Sequence, residues 1–157
     1  MQGTRGRPVT AVDPAAMDAS AAGGQDWQSV HKYLLVGTGG FAGAIARYWV
    51  NTMVTQRMGL RFPYGTFLIN VSGCFLIGFF MYLLAERGVL DAHWLYVIVI
   101  GFIGAYTTFS TFEYETVRAL QDGQFGIGLL YVGSSVLVGF TMVWLGAQAA
   151  KLLTSPS

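Results

Sequence analysis

Along this chain the apolar residues fall in four long blocks rather than at amphipathic spacing. The blocks are Tyr33–Val54, Phe62–Ala85, Trp94–Phe112 and Phe125–Leu145, the last running on toward Leu153. Each is near the roughly 20 residues that carry an α-helix across a bilayer. In hydrocarbon a helix pairs all its backbone groups within its own segment, so helix is the default. The alternation that would mark barrel strands is missing from all four blocks. The pattern predicts an all-α integral membrane protein in which residues 31–153 form four transmembrane helices, at 33–54, 62–86, 92–119 and 125–152. The short connections make neighbouring helices antiparallel. The first 30 residues, rich in Gly, Ala, Ser and Asp, have no apolar core. They read as a disordered tail and lack the apolar stretch of a signal peptide. Residues 154–157 read as a loose C-terminus.

Composition strengthens the membrane reading. Charged residues make up 11% of the chain, less than half the roughly 25% usual for a soluble domain. Cys74 is the single cysteine, so no disulfide forms within the chain, and the two histidines, His31 and His93, sit at helix edges. That leaves no zinc-type cluster. No carboxylate lies within the four blocks, so no catalytic triad is expected and the chain does not read as an enzyme. A nucleic-acid partner is not expected either.

Charge changes the topology question. On one side of a four-helix protein the membrane-proximal cations are Lys32, Arg87 and Lys151; on the other they are Arg57, Arg61 and Arg118. Orientation follows the imbalance of Lys and Arg in short loops, and here there is none. Either the insertion machinery and the tail arginines settle the matter, or the protein inserts both ways, as an antiparallel pair requires.

Small and polar residues inside the blocks carry the remaining signal. Gly39 and Gly43 share a face of helix one, and helix four carries Gly133, Gly139 and Gly146. Small residues four apart let helices approach closely in lipid. Four helices enclose little interior, so their polar groups favour an oligomer, most simply a dimer. Arg47 lies about two thirds along helix one, where snorkelling to the interface is its ordinary role. Thr66 and Asn70 share a face of helix two; an amide there can glue helices or hold an anion. Helix four holds Tyr131, Ser134, Ser135 and Thr141, and hydroxyls in membrane helices usually bond back to their own backbone.

The densest signal is GFIGAYTTFSTFEYE, Gly101–Glu115. Glycines and hydroxyls at the centre of the third helix are where a helix can break, freeing backbone groups at membrane depth. Such groups are tolerated only where they are buried in protein, bind an ion or line water. After the break, Phe109 and Phe112 stand three apart. Aromatic rings have positive edges, which can point at a small anion, although ordinary packing also explains the spacing. The hydroxyls of Ser110 and Thr111 can replace lost water.

GGFAGAIARYW, PYGTFLINVSGCFLIG and GFIGAYTTFSTFEYET together resemble the signature stretches of the Fluc (CrcB-type) fluoride channel family, in family order. The resemblance covers Lys32 to Leu152; the N-terminal tail lies outside it. It implies a fluoride-selective channel in a microbial plasma (inner) membrane, built as an antiparallel, dual-topology homodimer with two pores. It also implies a central structural sodium ion held by the carbonyls of Gly104 and Thr107 from both subunits. By residue match, Phe109 and Phe112 are the pore-lining rings and Asn70 the amide donor to fluoride. Ser110, Thr111 and Thr66 belong to the polar lining, and Tyr131, Ser134 and Ser135 are candidates on helix four. Arg47 matches the helix-one arginine, and Glu115 an acidic residue near a vestibule. Ala105 stands where many relatives carry glycine.

Neutral, weak donors suit an ion that must leave as well as enter, and the lack of a carboxylate in the blocks argues against proton-coupled exchange. Two other classes fit the same blocks. A small multidrug-type exporter is expected to carry a glutamate in helix one, where this chain has Arg47. A non-transporting scaffold would use the glycines and hydroxyls for packing alone.

Overall fold

The computed structural model describes residues 14–59, 61–88, 90–91 and 93–155, with side chains from residue 29 onward. Among the described residues the secondary structure is all helical. Helix α1 spans Pro14–Met58. Helix α2 spans Tyr64–Met81 and continues as a wider π-helical turn over Tyr82–Glu86. Helix α3 is π-helical over Leu95–Ile103 and closes with one α-turn, Gly104–Tyr106. Helix α4 spans Phe109–Gln121 and α5 spans Phe125–Thr154.

Among the described residues, three helical stretches are long and apolar enough to cross a membrane: Tyr64–Glu86, Leu95–Gln121 and Phe125–Thr154. The first of the four expected blocks, in α1, is not among them. Its apolar residues are diluted by Gly37, Gly39, Gly40, Gly43, Arg47 and Asn51. Of the expected N-terminal tail, residues 1–13 lie outside the described residues, and from Pro14 the backbone is helical. Proline suits a first helical position, and the run AAMDASAA that follows it is rich in the strongest helix former.

Chain contacts divide the protein into Met1–Tyr33 and Leu34–Ser157. Within the second unit, glycines set the helix packing. A Cβ on Gly39 would strike the Val97 carbonyl, and one on Gly43 the Phe102 carbonyl. Rising numbers on both sides mean that α1 and α3 run in the same sense. Gly78 lies against the Val143 carbonyl and Gly146 against the Phe75 carbonyl, so α2 and α5 are antiparallel. The Gly39/Gly43 face is therefore used inside the subunit. Gly133 meets no atom within 4 Å of where its Cβ would stand.

Two chain reversals need glycine for its backbone. Gly59, after α1, has φ +79°, and Gly123, between α4 and α5, has φ +73°. Both occupy the left-handed region that side chains disfavour. The Gln124 N–H closes the second reversal on the Ala119 carbonyl at 2.8 Å. Met58, Tyr64, Gln121 and Phe125 thus mark one end of the helices.

Candidate functional site

Helical geometry stops after Tyr106 and resumes at Phe109. Thr107 (φ −79°, ψ 158°) and Thr108 (φ −149°, ψ 121°) are extended. The sequence placed the break at 104–107; Gly104–Tyr106 instead keep one turn. The Thr107 N–H and hydroxyl both donate to the Ile103 carbonyl, at 3.0 Å each, and so close that turn. In an unbroken helix the Thr108 N–H would bond the Gly104 carbonyl. Here it donates to Asn70 Oδ1 at 2.9 Å, while Asn70 Nδ2 donates to the Thr108 carbonyl at 3.0 Å. Asn70 thus replaces backbone partners lost at the break.

Thr108 then starts α4 as its N-cap. Its hydroxyl accepts from the Thr111 N–H at 3.4 Å and donates to Thr111 Oγ1 at 3.0 Å. The sequence reading passed over Thr108. Its signal was there, since threonine is one of the preferred residues at a helix N-cap. Gly73 was also missed. A Cβ there would strike the Thr107 methyl, so the glycine admits the extended segment.

Beside the break lies an open, largely apolar cavity of about 350 Å³. It brings together Asn70, Thr107, Thr108, Phe109, Phe112 and Ser135. The two rings differ sharply in burial. Phe109 is 74% exposed, whereas Phe112 is 9% exposed. Their centroids are 6.0 Å apart, and Phe112 meets Tyr131 at 5.0 Å with the rings inclined by 60°. The Ser135 hydroxyl is buried without a hydrogen-bond partner among the described residues. A buried polar atom left without a partner is costly, and this one borders the cavity that holds both rings.

The other expected site residues fall elsewhere. Arg47, Thr66 and Thr111 border a second cavity of about 200 Å³ with Thr108. Ser110 is exposed outside both cavities. The Ser134 hydroxyl donates back to the Tyr131 carbonyl at 3.3 Å. Tyr131, 1% exposed, donates its hydroxyl to Glu115 Oε2 at 2.8 Å, and the Thr66 hydroxyl donates to Glu115 Oε1 at 2.9 Å. The sequence expectation that no carboxylate enters the membrane segments therefore needs correction. Helix α4 continues well past Phe112, and Glu115 is half-buried within the apolar span Leu95–Gln121.

Residues 34–147 match the family model described as CrcB-like protein, Camphor Resistance (CrcB). The chain belongs to the CrcB family. Two relatives of this CrcB-family chain carry the same name. A protein of Acidobacterium capsulatum, named fluoride-specific ion channel FluC, is 57% identical over 115 residues, covering 73% of this chain and 92% of the relative. A protein of Solibacter usitatus with the same name is 51% identical over 120 residues, covering 76% and 98%. Both alignments are long enough to take in most of the helical unit.

Proposed function

We propose that this CrcB-family chain is a multi-pass membrane protein that conducts fluoride passively, and that it is a channel rather than an enzyme. The name borne by its relatives supports the ion. The geometry that carries the reading is the cavity beside the break, where two phenylalanines, an amide and an unpartnered buried hydroxyl converge. Ring edges and a hydroxyl are weak donors without full charge. Such donors replace hydration yet release the ion, as conduction requires.

In this reading α1 supplies the fourth crossing, and the break at Thr107–Thr108 lies at membrane depth. Two copies pair antiparallel, each pair holding two pores, as the balanced loop cations allow. The 74% exposure of Phe109 leaves that ring for a second subunit to cover. A structural sodium ion fits the same break. Diverting the Thr108 N–H to Asn70 takes that donor from the Gly104 carbonyl, and carbonyl oxygens are hard ligands suited to such an ion. Gly104 and Thr107 of two subunits would hold it, and the ion would supply a fixed positive charge at the broken ends. Glu115 does not require proton exchange, because both its oxygens already accept hydrogen bonds within the subunit.

The test is fluoride efflux from liposomes holding the purified protein, read by a fluoride electrode with chloride as control. Rapid fluoride release with little chloride release is expected. Folded, dimeric protein that releases neither ion would move the reading to a scaffold.

A further inference from the structure

At the end of the helices marked by Met58, Tyr64, Gln121 and Phe125 lies a separate cavity of about 520 Å³. Arg61, from the α1–α2 connection, and Arg118, in the last turn of α4, both line it. Neither guanidinium group has an ion pair or hydrogen bond among the described residues. Two carboxylates also border the cavity. Glu115 has both oxygens engaged by Thr66 and Tyr131. Asp122 follows α4 and is exposed, and it forms no ion pair with either arginine.

Arginine is the side chain best shaped to grip phosphate oxygens, through paired N–H donors. The volume is far larger than one small anion needs and falls in the range of ligand pockets. The remaining lining is amphipathic. Phe62, Pro63 and Ile127 are apolar, while Tyr64 and Tyr114 are aromatics of the kind that sit at the membrane–water boundary. The helix ends place the cavity where apolar spans give way to loops. Basic pockets between membrane helices at that depth suit lipid head groups.

The geometry points to a phosphate-binding site on Arg61 and Arg118 that takes the phosphodiester head group of a membrane lipid. Apolar residues beside the two guanidinium groups favour a lipid over free phosphate, because only the lipid also fills that surface. Asp122 disfavours doubly charged anions and leaves a place for a head-group amine or hydroxyl.

The test titrates full-length protein in detergent with dioctanoyl phosphatidylglycerol, with dioctanoyl phosphatidylethanolamine and with inorganic phosphate, read by calorimetry. Both lipids should bind, and Arg61→Gln/Arg118→Gln should weaken them at least tenfold without a change in thermal midpoint. Should that variant fold poorly, Arg61→Lys/Arg118→Lys keeps the charge but not the paired donors, and a several-fold loss is expected. Equal lipid binding by wild type and the folded double variant would overturn the site. Inorganic phosphate binding as tightly as the lipids would overturn the head-group assignment.

Discussion

Asn70 and Thr108 are joined by two hydrogen bonds that use both ends of the Asn70 amide. Oδ1 accepts from the Thr108 N–H at 2.9 Å, and Nδ2 donates to the Thr108 carbonyl at 3.0 Å. The side chain therefore pairs with the backbone as a neighbouring strand would. It anchors the extended residues between α3 and α4 to α2.

That pairing gives Asn70 a structural role that a pore donor alone would not have. Asn70→Ala leaves a half-buried N–H and carbonyl without these partners, at about 1–3 kcal/mol. A lower thermal midpoint and a fall in fluoride efflux of at least tenfold are expected together. Lost efflux with an unchanged midpoint would mean that Asn70 serves only the ion.

The two phenylalanines separate in the opposite way. Phe109 is 74% exposed and Phe112 is 9% exposed beside Tyr131. Phe109→Ala should leave the subunit's stability nearly unchanged, whereas Phe112→Ala should lower it by roughly 3–5 kcal/mol. Phe109→Ile and Phe112→Ile should each abolish fluoride efflux while the protein stays folded. Normal conduction by both isoleucine variants would remove the rings from the pore.

Glu115 ties α2 to α5 through Thr66 and Tyr131. Tyr131→Phe deletes the hydroxyl and leaves one carboxylate oxygen short of a donor, at about 1–3 kcal/mol. Residues in one network do not add independently. Thr66→Val with Tyr131→Phe should therefore differ from the sum of the single variants by at least about 0.5 kcal/mol. Strict additivity in thermal unfolding would show that the carboxylate does not couple the two hydroxyls.

Glycines should divide into two kinds. Gly43→Ala drives a methyl into the Phe102 carbonyl, and Gly146→Ala drives one into the Phe75 carbonyl. Overpacking of this sort costs about 1–3 kcal/mol. Gly133→Ala meets open space, so the subunit should keep its fold. Equal tolerance at all three positions in thermal unfolding would contradict the helix contacts.

Asp91 lies outside the membrane spans. The His93 N–H first, and then the His93 ring, hold its carboxyl below the ordinary carboxylate value. A depressed folded-state value stabilises the fold above the unfolded value, and that stabilisation is lost as pH falls through the folded one. The loop should thus be unaffected between neutral pH and mild acid. Carbon NMR should find Asp91 titrating below the ordinary carboxylate value, with His93→Ala moving it upward. Titration at the ordinary value in the wild type would refute the contact.

The chain's order determined a good deal by itself. Apolar blocks located α2, α3 with α4, and α5, because the need to pair backbone groups in hydrocarbon is a local requirement. Glycines and hydroxyls in GFIGAYTTFSTF pointed to the place where the helix stops, and GGFAGAIARYW, PYGTFLINVSGCFLIG and GFIGAYTTFSTFEYET carried the family resemblance. Tertiary structure decided the rest. It moved the interruption to Thr107–Thr108, since Asn70, 38 residues away, supplies the partners that make extended backbone stable there. It buried Phe112 and exposed Phe109, two rings the local spacing treats alike. It brought Thr66 to Glu115 across 49 residues, giving a carboxylate inside an apolar span the donors it needs. Periodicity and composition report what each segment can bury, but which distant polar groups meet depends on how the helices pack.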